Sequence, residues 1–183
     1  MIKVIAFDLV GVLVTEKDIE LSPTEDKLER MFGANISDDE YIKTAKTVIT
    51  NEQDIIKITK EIINKLYEVK DKEVFKKIKK EYNDIKVIIA TNHISYVKDF
   101  IYKNFDKSYI DDIIISAEIH KVKPNADFYK TLLDKYQLTP NELLFADDNQ
   151  ENIDGANKLK INTLKVEKRS KVINEVINIL KNQ

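Results

Sequence analysis

At 183 residues, with 43% hydrophobic and 34% charged side chains, the chain can bury one sizeable core with a small appended unit and is too apolar for a disordered segment. A formal net charge of −2 excludes the electrostatic footprint of a general nucleic-acid binder, and the lack of cysteine excludes disulfides and thiolate metal sites.

The N-terminal stretch MIKVIAFDLV reads as a buried strand from Ile2 to Phe7 that ends at Asp8. Its apolar run is too short for a secretory leader and Asp8 interrupts it. No later stretch approaches the roughly 20 apolar residues of a membrane span. The expected location is the cytoplasm, with neither a membrane nor a nucleic acid as partner.

From about Thr15 to Tyr82 only helical signals occur. SPTE at Ser22 to Glu25 is a capping box with Pro23 at the first helical position, and SDDE at Ser37 to Glu40 is a second start signal, followed by Tyr41, Ala45 and Val48 on one face. Ile55, Ile58, Ile62 and Leu66 mark a third helix, and Val74, Ile78 and Tyr82 a fourth. The lysines at 76, 77, 79 and 80 flank Ile78 at helical spacing and read as a solvated helix face.

Beyond the insertion, short Val- and Ile-rich runs resume at Lys86 to Ala90, Ile113 to Ile115 and Leu143 to Ala146, with a weaker one at Thr163 to Val166. Helical patterns lie between them: Ile94, Val97 and Ile101; Phe128, Leu132 and Tyr136; Ile153, Ala156 and Leu159. Strands alternating with helices predict an α/β fold, a doubly wound parallel sheet with helices on both faces. The expected division is a core of residues 1–14 and 83–183 with an all-helical cap of residues 15–82.

In such sheets ligands bind outside the carboxyl ends of the strands. There the sequence places Asp8, then Thr91-Asn92-His93, then Asp147-Asp148-Asn149, while the third strand leads through Ser116 to Lys121 and Lys123. Asp8, Asp147 and Asp148 offer hard oxygen ligands of the kind Mg²⁺ takes, and three carboxylates near one point would repel without a cation. The Thr91 hydroxyl, the backbone amides after it and the Lys123 ammonium suit phosphate oxygens, so the set fits phosphoryl transfer. Singly, each has a plainer reading: a strand-end Asp as a turn residue, Lys-Pro as a helix opener, Asp148 with Glu151 as a capping box. The order and strand context of the set favour the chemical reading.

FDLVGVL, IATNH, SAEIHKVKPNADFY and FADDNQENIDGA, taken with the helical insertion after the first, resemble the haloacid dehalogenase superfamily of hydrolases, subfamily I with a helical C1 cap. The final motif is similar to the Asp-Asp-(Ser/Asn) branch of sugar-phosphate phosphatases and the N-terminal phosphatase domain of soluble epoxide hydrolases. The resemblance implies a Rossmann-like core, Mg²⁺ as cofactor and a small phosphorylated metabolite as substrate. It makes Asp8 the nucleophile that forms an aspartyl-phosphate, Thr91 and Asn92 the phosphate loop, and Lys123 the basic residue that orients the nucleophile and neutralises phosphate. Metal ligands would be Asp8, the backbone carbonyl of Val10, Asp148 and, more loosely, Asp147. Asp147 stands where many relatives carry glycine, and Asn152 where many carry a second acid.

One departure matters. The superfamily's phosphatases commonly carry a second Asp two residues after the nucleophile, which protonates the leaving oxygen and then activates water; here that residue is Val10. General acid–base help is worth about 10²- to 10⁴-fold. His93 is the first substitute acid to weigh, since histidine titrates near neutrality, and His120 the second. The resulting expectation is a Mg²⁺-dependent phosphatase of a small phosphomonoester. The alternative is a catalytically impaired relative that binds a phosphorylated ligand or a protein partner, and a 2-haloacid dehalogenase type of hydrolase stands third.

Overall fold

The computed structural model describes residues 1–33, 37–168 and 170–183. β1 (Val4–Phe7) opens the chain, and a tight turn leads to β2 (Val14–Glu16). Three helices follow, α1 (Pro23–Glu29), α2 (Asp38–Ala45) and α3 (Glu52–Leu66), before β3 (Tyr67–Val69) and α4 (Val74–Glu81). The second half alternates: β4 (Lys86–Thr91), α5 (Val97–Asn104), β5 (Asp112–Ile115), a short α6 (Ser116–Ile119), α7 (Ala126–Tyr136), β6 (Leu143–Asp147), α8 (Gln150–Asn157), β7 (Asn162–Lys165) and α9 (Val172–Lys181).

The five-stranded sheet has the order β5-β4-β1-β6-β7, and every pairing is parallel. Strand side chains alternate between the two faces because the strand period is two. Ile5, Phe7, Val87, Ile89, Leu144 and Ala146 enter one apolar layer, with α4, α5 and α9 against it. Val4, Ala6, Ile88, Ala90, Leu143 and Phe145 enter the other, under α7 and α8. Burial on both faces explains why these strands read as unbroken apolar runs. β1 lies between β4 and β6, so crossovers leave it in both directions and its carboxyl end is the topological switch point.

β2 and β3 form a separate antiparallel pair, extended by Lys17 N–H to the Leu66 carbonyl and Lys70 N–H to the Leu13 carbonyl. This two-stranded stalk carries α1 to α3. Both expected capping boxes are present, at Ser22 with Glu25 and at Ser37 with Glu40. Leu28, Tyr41, Ile42, Ala45, Ile55 and Ile62 make an apolar centre of their own, joined by Ile94 from the loop after β4.

Two features differ from the all-helical expectation for 15–82. The stalk is a strand pair, too short to show a period in sequence. α4 packs on the sheet layer, where Phe75 meets Phe7 edge-on at 6.0 Å and Phe105 at 5.1 Å. Nor does a capping box form at Asp148: Asn149 is the N-cap of α8 and accepts from the Glu151 amide.

Candidate active site

Three strand ends and one loop converge at the carboxyl edge of the sheet. Asp8 follows β1 directly, fixed by its amide donating to the Ala146 carbonyl at 2.8 Å. Thr91 ends β4 and is buried. Asp147 ends β6 with no exposed surface, and Asp148 follows it. Lys123 arrives from the loop between α6 and α7. One carboxylate oxygen from each of Asp8, Asp147 and Asp148 lies within 4.8 Å of the others.

Lys123 joins the acids. Its Nζ donates to Asp8 Oδ1 and to Asp147 Oδ2, each at 2.7 Å, with its side chain 1% exposed, and it stands 5.3 Å from the Phe145 ring centre. Burial opposes the charge, but the two carboxylates outweigh it and hold the ammonium above its ordinary pKa. Burial pushes the Asp8 carboxyl up to about 6, with the Lys123 charge pulling down and the Asp147 charge pushing up.

Asn92 fixes the lysine's backbone. Its Nδ2 donates to the Lys123 carbonyl at 2.9 Å, and the Lys123 amide donates to its Oδ1 at 3.0 Å. With the Asn92 side chain engaged in this clamp, its backbone amide is the group that can face a phosphate beside Thr91. α8 closes in behind: a Cβ on Gly155 would lie 2.5 Å from the Pro124 carbonyl, so only glycine allows this approach without a shift.

Asp147 and Asp148 face different partners. Asp147 accepts from Lys123, from the Asn149 amide at 2.8 Å and from Asn152 Nδ2 at 3.2 and 3.1 Å to its two oxygens. The expectation that Asp147 joins a metal shell meets a carboxylate already served by N–H donors, whereas Asp148 leans over Gly11. A Cβ built there would lie 2.1 Å from Asp148 Oδ2, and Gly11 has φ of 90°. The residues therefore fit a hard cation through Asp8 and Asp148, with the Val10 carbonyl on the adjoining turn. Bound there, Mg²⁺ would supply charge neutralisation for phosphate oxygens.

Gly11→Ala is expected to displace the Asp148 carboxylate and to strain the turn by about 1–3 kcal/mol. Its Mg²⁺ midpoint, read by calorimetry, should rise about 10- to 100-fold. An unchanged midpoint would remove Asp148 from the cation site.

His93 has a different setting from the other site candidates. It is 5% exposed, with Nε2 hydrogen-bonded to the Tyr67 hydroxyl at 2.8 Å and Nδ1 to the Ile94 carbonyl at 3.1 Å. Its ring packs 5.9 Å from Phe32 and 5.8 Å from Tyr67, and its amide donates to Ser116 Oγ. Burial lowers its pKa to about 4, against the pull of the Ile94 carbonyl and the Asp38 charge. At neutral pH Nδ1 carries the only proton and gives it to Ile94, so His93 joins the loop after β4 to the stalk. A second link, Ser95 N–H to Asp38 Oδ1 at 2.8 Å, ties the same loop to α2. Neither link is visible locally in sequence, since Tyr67 and His93 stand 26 positions apart.

The sign of the pH effect follows. The unfolded chain takes up the His93 proton near its ordinary pKa of 6.5 and the folded chain only near 4, so stability is lost as pH falls between them. Asp8, raised from 3.8 to about 6, acts in the opposite direction over that range. Relative to a His93→Gln variant, the wild type should lose about 3 kcal/mol between pH 7 and pH 4 in urea unfolding. A constant difference would mean that the folded protein takes up the His93 proton as readily as the unfolded chain.

An open parallel sheet with acids and a buried lysine at the carboxyl ends of its central strands places the protein in the doubly wound, Rossmann-like α/β class. Residues 5–166 match the family described as haloacid dehalogenase-like hydrolase, and the chain belongs to that family. Among solved structures, a predicted haloacid dehalogenase-like family hydrolase from Porphyromonas gingivalis is similar at 21% identity over 100% of both chains, with a TM-score of 0.76. A variant of the family enzyme BT-2542 from Bacteroides thetaiotaomicron, in complex with magnesium and inorganic phosphate, is 18% identical over 93% of this chain and 97% of its own, with a TM-score of 0.73. A predicted phosphoglycolate phosphatase from Haemophilus somnus 129PT is 16% identical over 88% and 84%, with a TM-score of 0.66. Among the described residues no helix is long and apolar enough to cross a membrane.

Proposed function

We propose that the protein is a Mg²⁺-dependent phosphatase of a small phosphorylated metabolite, acting through an aspartyl-phosphate on Asp8. The observation that carries this reading is the buried Asp8–Lys123–Asp147 triad beside Asp148. Lys123 neutralises nucleophile and phosphate, Asp147 holds Lys123, and Thr91 with the Asn92 amide receives the phosphoryl oxygens. Asp8, Asp148 and the Val10 carbonyl hold the cation. Positioning and charge neutralisation are the chief requirements of phosphoryl transfer.

Within the inserted segment 15–82 the stalk and its helices α1 to α3 act as the cap, with Tyr67 of the stalk bonded to His93 and Asp38 of α2 bonded to Ser95 in the phosphate loop. Substrate choice belongs to this contact, because closure over the loop excludes water. A dehalogenase needs no metal-binding acid, which leaves Asp148 over Gly11 without a use. The second reading, a ligand-binding relative that turns nothing over, is favoured by Val10 alone.

The test is phosphate release from p-nitrophenyl phosphate and a panel of sugar phosphates, with Mg²⁺ and with a chelator. Release that disappears with the chelator supports the phosphatase. No release from any compound under either condition would favour the binding relative.

A further inference from the structure

The two halves of the proposed reaction make different demands on protons. In the first, a carboxylate oxygen of Asp8 attacks phosphorus, an O–P bond forms, and the leaving oxygen departs with its electron pair. An alkoxide must be given a proton at that moment; a carboxylate need not be. In the second, water attacks the aspartyl-phosphate, the O–P bond to Asp8 breaks with its pair returning to the carboxylate, and the water must lose a proton to a base, to a phosphate oxygen or to solvent.

The groups gathered around Asp8 are already engaged. Val10, two residues on, presents an isopropyl group packed against the sheet layer and is held by a bridge to Val14. Lys123 directs its ammonium to Asp8 and Asp147 and has no lone pair to offer. Asp147 accepts from Lys123, Asn149 and Asn152, and Asp148 is the remaining cation ligand. His93 donates from Nδ1 to the Ile94 carbonyl and accepts at Nε2 from the Tyr67 hydroxyl, so neither nitrogen turns toward a substrate. The site is furnished for forming the covalent bond and, among the described residues, has no dedicated base beside Asp8 for breaking it.

We infer that the phosphoryl donors this site uses well are those whose leaving group departs as a stable anion, acyl phosphates being the chemical class, and that the phosphorylated protein accumulates because hydrolysis of aspartyl-phosphate is the slow half. This rests on the phosphatase reading and narrows it: sugar phosphates, which leave as alkoxides, turn over far more slowly. Phosphorylation balances without any further reactant, since the acyl carboxylate leaves unprotonated.

The experiment incubates the full chain with acetyl phosphate and Mg²⁺, removes the donor, and follows intact protein mass and free phosphate with time. The wild type should gain one phosphoryl group, and Asp8→Asn none. In Val10→Asp, which restores a carboxylate, the adduct should decay about 10²- to 10⁴-fold faster. Independently of any variant, wild-type phosphorylation rates across a series of aryl phosphates should fall steeply as the leaving-group pKa rises. Rapid phosphate release with no accumulated adduct, or a flat leaving-group dependence, would overturn the inference and leave the phosphatase standing. Neither adduct nor phosphate release from any donor would overturn both.

Discussion

Asp8→Asn is expected to lower turnover by on the order of 10⁴-fold or more, as removal of a covalent nucleophile does elsewhere, while keeping the folded state within about 1 kcal/mol of wild type. The two halves of that statement have separate causes. The amide is a poor nucleophile and cannot carry a phosphoryl group through a hydrolysable acyl linkage. Its oxygen still accepts from Lys123, however, and the ammonium keeps Asp147 as a full ionic partner. Burial already disfavours the charge on Asp8, so a neutral side chain removes a desolvation cost and one source of repulsion with Asp147. Phosphate release and urea unfolding on the same preparation would check both. Activity near the wild-type level would sink the aspartyl-phosphate route, and loss of stability with activity would leave the chemistry unproved.

The sheet was legible because its strands are buried on both faces, so short Val- and Ile-rich runs mark β1, β4, β5 and β6 without any alternation to confuse the reading. The position of the site was legible for a related reason: polar residues at the ends of apolar runs have few structural uses, and several at once point to one edge of a parallel sheet. The stalk was not, since three-residue strands carry no measurable period. α9 escaped although Val172, Val176 and Leu180 repeat at helical spacing along it. Asp147 and Asp148 look equivalent in sequence; only the fold turns one toward N–H donors and the other over Gly11. His93 looked like a free acid because its partner, Tyr67, comes from a distant strand.

Lys123→Met should be the most damaging single change to stability in the site. The side chain is 1% exposed, and its loss leaves Asp147, fully buried, and Asp8, whose side chain is 11% exposed, without their shared cation. Removing one partner of a buried ion pair costs about 3–5 kcal/mol, because the uncompensated charge remains. Methionine keeps the volume, so little of that loss comes from packing. The cost should depend on pH in a stated direction. With the ammonium gone, the Asp8 carboxyl, already raised by burial to about 6, loses the charge that pulls it down and rises further. Destabilisation is then full above the raised value and relieved as pH falls through it, when Asp8 takes up a proton. Urea unfolding in chelator should therefore show a larger deficit at pH 8 than at pH 5. Adding Asp147→Asn to Lys123→Met should restore much of the stability at pH 8 and none of the activity, because it neutralises one orphaned charge without supplying a cation for phosphate. An equal deficit at both pH values would mean that water or a bound ion reaches the acids, and the buried triad would lose its place as the organising feature of the site.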